Sequence, residues 1–214
     1  MSKYYFAMHG IKESSRMDAV GEDYIHNMIK GDSELKKMTE RIRSATDESE
    51  QKKLKDKLWW FTQGDYAEPY RRNENVKSRD RMILDYDEVP DITAAIKSLK
   101  KDNRVRMVFV SPRGKGPKVE ILLKKPIKDS ETFEQAYLTI GKKLSKDHGL
   151  GPLDENGKDI SRATFLSYDP EMHSNPNAEP WEFKSIPKPV KNASSNGESS
   201  QLPDALLEKY GNFV

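Results

Sequence analysis

An α+β fold with an RRM-like core is predicted by three features of residues 81–170. Apolar runs of strand length alternate with capped segments of helical period. Their order is β-α-β-β-α-β, the split-βαβ unit. The middle two strands flank a turn rich in Gly and Pro, PRGKGP. RMILDY (81–86) reads as the first strand. DITAAIKSLKKD (91–102) reads as a helix capped by Asp91, with Ile92, Ala95, Ile96 and Leu99 on one side. VRMVFVS (105–111) and KVEILLKK (118–125) read as a hairpin. DSETFEQAYLTIGKKLSKDHG (129–149) reads as a helix, started by Asp129 or Ser130 and ended by Gly149. ATFLSYD (163–169) reads as the last strand. Right-handed crossovers set these strands in the order 4-1-3-2, all neighbours antiparallel, with both helices on one face.

Residues 1–80 read as a mainly helical N-terminal module packed on that core. YYFAM (4–8) is a short strand. MDAVGEDYIHNMI (17–29) carries Met17, Val20, Tyr24, Ile25 and Met28 at helical spacing. A second helix, capped by Asp32 or Ser33, runs to about Ala45 with Leu35, Met38 and Ile42 on one face. TDESEQKKLKDKLWWF reads as a charged helix entering an aromatic cluster, its alternating charges a solvated face. The core is assigned to 81–185, with Trp181 holding an ordered loop. KPVKNASSNGESSQLPD opens a linker-like tail over 186–214.

The chain has 214 residues, 35% hydrophobic and 34% charged, with a net charge of +2, so no global positive field argues for nucleic acid. Any such binding rests on local patches. Cysteine is absent, which excludes disulfides and thiolate metal sites, and the four histidines show no ligand spacing. No apolar stretch reaches transmembrane length and the N-terminus lacks a signal-peptide core, so a cytoplasmic protein with no membrane partner is expected.

Chemistry is expected at the strand ends. Asp85 and Asp87 alternate onto the same face, with Ile83, while Met82, Leu84 and Tyr86 point toward the helices. Two carboxylates ~7 Å apart repel unless a cation sits between them, and hard divalent ions suit that oxygen environment. The bland alternative is a solvated strand-to-helix turn. The loop SPRGKGPK offers Ser111, Arg113, Lys115 and Lys118, with Gly114 and Gly116 for close backbone approach, as a phosphate cradle or as a mobile basic hairpin tip. GKDISRATF brings Asp159 and Arg162 to the expected edge beside Asp85, with Asp169 at the far end of its strand. A third acid is therefore Asp159 more readily than Asp169, and the alternatives are turn residues and a structural salt bridge. Upstream, Tyr70, Arg71 and Arg72 lie among Trp59, Trp60, Phe61 and Tyr66, an interleaving that suits single-stranded nucleic acid or, for the tryptophans, core packing.

RMILDYDEVPD, VFVSPRGKGPKVEILL and DENGKDISRATFLSYDPE, with FTQGDYAEPYRR upstream, resemble the VirE N-terminal (primase-like) domain of Bacteroidetes and their mobile elements. That family is similar to the archaeo-eukaryotic primase superfamily, and the resemblance covers roughly residues 50–180. It implies a metal-dependent nucleotidyltransferase fold with Asp85 and Asp87 as the first motif. Lys118 stands where the family's second motif places a phosphate-contacting histidine, and the third motif's acid matches Asp159 or Asp169. Members are often followed by a helicase-like ATPase. This chain has no GxxxxGK[ST], so a helicase would act in trans.

The function expected is primase or primase-polymerase activity in replication of a mobile element. Single-stranded DNA would be the template, NTP or dNTP the substrates, and two Mg²⁺ or Mn²⁺ ions the cofactors. Asp85, Asp87 and Asp159 would hold metal. Lys118 and Arg162 would hold triphosphate, supported by Ser111, Arg113 and Lys115, and Tyr70, Arg71 and Arg72 would contact the template. The alternative is a catalytically degenerate RRM-like module that binds nucleic acid or a replication partner. A nuclease, a third possibility, lacks a general-base histidine beside the two acids.

Overall fold

The computed structural model describes residues 3–8, 11 and 15–185. The expected tail, 186–214, lies outside them. The elements run β1 (Lys3–Ala7), β2 (Asp18–Val20), α1 (Glu22–Gly31), α2 (Ser33–Ser44), α3 (Glu48–Lys55), β3 (Trp60–Tyr66), β4 (Val76–Asp85), α4 (Ile92–Leu99), β5 (Val105–Val110), β6 (Pro117–Ile127), α5 (Ser130–His148), β7 (Thr164–Phe165) and β8 (His173–Ser174). Local chemistry accounts for the helix ends. Asp32, Asp47, Asp91 and Asp129 each accept a backbone N–H at a helix start, and Gly149 closes α5 in the left-handed conformation at φ 62°.

The fold class is α+β. An antiparallel sheet has the order β2-β1-β3-β4-β6-β5-β8, with β7 paired to β3. The segment β4-α4-β5-β6-α5 follows the expected order, and β4, β6 and β5 are adjacent as expected. The fourth strand does not sit beside β4. Only Thr164 and Phe165 are strand, and they pair with Phe61 and Trp60 of β3. β3 lies where the sequence predicts a charged helix entering an aromatic cluster, and the strand-favouring residues of WFTQGDY account for the difference.

β3 pairs with β4 only near Tyr66 and Asp65, and β7 pairs with the other end of β3. Pro152–Asp154 runs instead along the end of β4, through Asp87 N–H to Pro152 O at 3.2 Å and Asp154 N–H to Asp85 O at 2.8 Å. Between β3 and β4, Arg79 donates to Ile160 O at 2.7 Å and Thr62 Oγ1 donates to Arg162 O at 3.1 Å. The KDISR stretch therefore packs between the two strands rather than extending the sheet.

Two cores flank the sheet. Met82 and Leu84 face α4 and α5, packing with Leu99, Phe133, Ile140 and Leu144. Ile83, Met107 and Phe109 face the other way, onto Ile25, Ile29, Leu35 and Ile42 of α1 and α2. Burying each such side chain contributes ~1.5–3 kcal/mol, so the one-sided apolar faces of α1 and α2 are reason enough for them to cover this sheet. The division expected after residue 80 falls inside β4, and the second core joins residues from both sides of it. At the back, His148 ties α5 to α4, lying 2.8 Å from Ser98 Oγ and 2.9 Å from Asp102 Oδ2. Among the described residues, no helix is long and apolar enough to cross a membrane.

Candidate functional site

β4 ends in Asp85, and strand alternation turns its carboxylate to the α1–α3 side. Asp85 is directly opposite Lys118 of β6, and Lys118 is opposite Phe109 of β5. Lys118 Nζ donates to Asp85 Oδ2. The Lys118 side chain is 5% exposed and that of Asp85 20%. Asp85 Oδ1 is buried and has no hydrogen-bond partner.

The chain past Asp85 is gripped from both sides. A Cβ on Gly116 would lie 1.7 Å from Tyr86 O, and one on Gly151 2.6 Å from Asp87 O, so both neighbours must be glycine. Gly116 thus uses its close approach on the protein's own backbone rather than on a ligand. Glu88, at φ 52°, holds a strained left-handed conformation beside the two acids. Val89 N–H to Lys115 O, 2.9 Å, closes the loop 111–116 over this turn.

The loop's cations meet the acids in register. Arg113 Nη2 is 3.6 Å from Asp87 Oδ1 and Lys115 Nζ is 3.0 Å from Glu88 Oε1, both pairs partly exposed. Ser111 is buried, and its carbonyl accepts from Gly114 N–H at 2.9 Å and from Arg43 at 3.2 Å. The loop is therefore anchored to α2 by Arg43, which argues against a freely mobile tip.

A further cation, Lys55, stands at the end of α3, within the charge alternation that the sequence presents as a solvated helix face. It is half-buried, with its ammonium 5.5 Å from the centroid of the Phe165 ring. Desolvation lowers its pKa from the usual lysine range. Lys118 and Arg113 push the same way, while Asp85 and Asp87 oppose. Nothing in the spacing of KKLKDK singles it out, because its surroundings come from β6, β7 and the end of β4.

The other expected residues make structural contacts or lie along other parts of the fold. Asp159 accepts from Ser161 N–H at 3.0 Å and Ser161 Oγ at 3.2 Å, which makes it a turn cap. Asp169, 8% exposed, accepts from Val110 N–H at 2.9 Å and Glu171 N–H at 3.0 Å, a structural tie to β5. Arg162 is exposed, and it adds its charge near Tyr137 rather than forming an ion pair among those resolved. Tyr70, Arg71 and Arg72 lie in the turn before β4, some 30 Å of strand from Asp85. Arg71 there donates to Ile11 O at 3.2 Å.

The donor set fits one hard divalent ion of the Mg²⁺ kind. Asp85 Oδ1 is an unpaired buried oxygen, Asp87 follows two residues on with its Oδ1 3.6 Å from Arg113, and such ions commonly take one or two carboxylates and fill the rest of the shell with phosphate oxygens and water. Among the described residues no group of three or more acids or histidines is arranged to hold a metal, so the expected third ligand is not assembled.

A family model described as BT4734-like, N-terminal domain, matches residues 53–173. This chain belongs to that family. The matched span contains Lys55, β3, both acids and the whole cationic loop of this BT4734-like domain. No curated protein matches its sequence. Among solved structures, the AEP domain of the cyanophage S-2L primase-polymerase (PrimPol) is similar, with 9% identity, 85% of this chain and 84% of that one covered, and a TM-score of 0.41.

Proposed function

We propose that this BT4734-like domain is a primase-type nucleotidyltransferase that joins nucleotides on a single-stranded DNA template, as its resemblance to the VirE N-terminal and primase-polymerase families implies. One observation carries the reading: the unpaired, buried Asp85 Oδ1 beside Asp87, ringed by Lys118, Arg113, Lys115 and Lys55. Asp85 and Asp87 would hold a Mg²⁺ or Mn²⁺ ion, which supplies activation of the attacking hydroxyl and neutralisation of phosphate charge. Lys118 and Arg113 hold phosphate oxygens as point charge and planar fork respectively. Lys115 and Ser111 support the loop that carries them. Arg162 lies within electrostatic reach of this end of the molecule, and Tyr70, Arg71 and Arg72, at the distant end of β4, contact template away from the reacting atoms. Action in the cytoplasm, in replication of a mobile element with a helicase in trans, completes the reading.

The test is primer synthesis on single-stranded DNA with Mn²⁺ and labelled nucleotides. Asp85→Asn with Asp87→Asn is expected to abolish product while each amide oxygen still accepts from its cation. Undiminished synthesis by that double variant moves the chemistry elsewhere.

A second reading has its own support. Asp85, Asp87 and the neighbouring Glu88 each already have a basic partner, and among the described residues no three acids are arranged to hold a metal. A binding module without chemistry uses such a cluster to shape the loop. Calorimetry with Mn²⁺ and a non-hydrolysable nucleotide separates the two, since metal-dependent nucleotide binding belongs to the first alone.

A further inference from the structure

We propose that Lys55 is a phosphate-contacting residue of this site, its ammonium set over the Phe165 ring to take the terminal phosphate of a polyphosphate chain. The proposal rests on the reading above in that the site accepts a triphosphate. It does not need the metal or catalysis.

Charge inventory is the first argument. Four cations, Lys55, Arg113, Lys115 and Lys118, gather around three acids, Asp85, Asp87 and Glu88. Three of the cations have an acid within 4 Å, and Lys55 alone of the four has none. Its one close partner is the face of Phe165, an attraction that holds an ammonium without neutralising it. A half-buried lysine with no acid within 4 Å, beside two further cations and only partly offset by Asp85 and Asp87, is costly in the free protein. That cost is recovered when an anion arrives.

Architecture is the second argument. Lys55 is the last residue of α3, and Leu58 and Trp60, just beyond, are buried in separate cores. The short connection into β3 therefore fixes where the side chain starts. β7 pairs with β3 through Phe165 and Trp60, which sets the ring beneath the ammonium. The displaced fourth strand thus has a use: it is the platform for a cation delivered from the N-terminal helices. The lowered proton affinity of Lys55 agrees with this crowding.

Calorimetric titration of the full chain with inorganic tripolyphosphate, without divalent ions, tests the proposal. Lys55→Gln is expected to weaken binding about 10- to 100-fold, the range of one charge-assisted hydrogen bond. Lys55→Arg restores most of it. Phe165→Leu, which keeps the charge and removes the platform, weakens it several-fold. Lys57→Gln, an exposed neighbour, leaves it unchanged. In the wild-type chain, ¹³C-methylated lysine resonances provide a readout that needs no variant to fold, with Lys55 shifting on titration. Absence of tripolyphosphate binding, a Lys55 resonance that does not move, or equal losses in the Lys55 and Lys57 variants overturns the assignment. Lys55-dependent tripolyphosphate binding without primer synthesis keeps it and removes the enzyme. Primer synthesis with wild-type binding in Lys55→Gln removes Lys55 alone.

Discussion

Two charged clusters share one face of the sheet, and they are built oppositely. Along β6, Lys118 and Glu120 point the same way, opposite Asp85 and Ile83 of β4. Glu120 is fully buried, with Tyr4 Oη 2.9 Å from both carboxylate oxygens and Gln63 Nε2 donating at 3.2 Å. Arg81 donates to Tyr4 Oη at 2.7 Å and lies 3.8 Å from Glu120. Burial pushes the Glu120 carboxyl up to about 7 against the pull of Arg81 and Tyr4. Every group there has a partner. One row away, Asp85 keeps an orphaned oxygen and Lys55 lacks an acid. A charged residue on a buried strand face is thus ambiguous by itself. Around Glu120 full hydrogen bonding makes a structural network, whereas the unpaired Asp85 oxygen stands at the proposed ligand site.

The largest expected effect is on the unsaturated side. Asp85→Asn with Asp87→Asn lowers primer synthesis at least about 1,000-fold, because metal and phosphate charge stabilisation is worth several kcal/mol, while circular dichroism shows the fold retained even though Lys118 loses its counter-charge. On the saturated side, Glu120→Ala leaves Arg81, Tyr4 and Gln63 facing a void and costs ~3–5 kcal/mol in denaturant unfolding. Tripolyphosphate affinity of the folded protein stays the same. If that variant loses ligand binding with little loss of stability, the two clusters have been assigned the wrong way round.

Protonation sharpens the contrast. Folded Glu120 keeps its proton to about 7, whereas the ordinary value is 4.5. Between those values the folded state binds more protons than the unfolded one, so this residue's stabilisation is present below 4.5 and is lost as pH rises to about 7. The stability of Glu120→Gln relative to wild type therefore climbs by ~3 kcal/mol over that window, measured by urea unfolding at several pH values. A flat difference shows that Arg81 holds the carboxylate ionised. A smaller effect is expected from a double-mutant cycle of Asp85→Ala and Lys118→Met. Removing Asp85 alone strands a buried ammonium, and removing both restores ~1–2 kcal/mol. Smallest of all, Arg162→Gln changes stability by less than ~0.5 kcal/mol, as an exposed side chain without a resolved ion pair should.

Legibility in the sequence followed interaction range. The caps Asp91 and Asp129, the glycine end of α5 and the hairpin around PRGKGP were readable because each involves neighbours in the chain. The same holds for the approach of Asp85 to Lys118, which follows from the register of adjacent strands. The fourth strand was misjudged because ATFLSYD has strand character but its partner is chosen by competition. β3, hidden in an aromatic run, already holds the sheet edge beside β4. Asp159 was placed at the site on that mistaken edge, and with the edge reassigned its carboxylate serves Ser161.

By itself, the chain's residue pattern determined the alternation, the caps and the charge types at the end of β4, because periodicity, backbone donors and hairpin register act over a few residues. Only tertiary packing decided that β3 takes the place beside β4 and that Asp85 keeps a bare buried oxygen. It also decided that a lysine from α3 stands unpaired near that oxygen. Those outcomes depend on which groups are left without partners after distant segments have met, and that remainder exists only once the whole chain has folded.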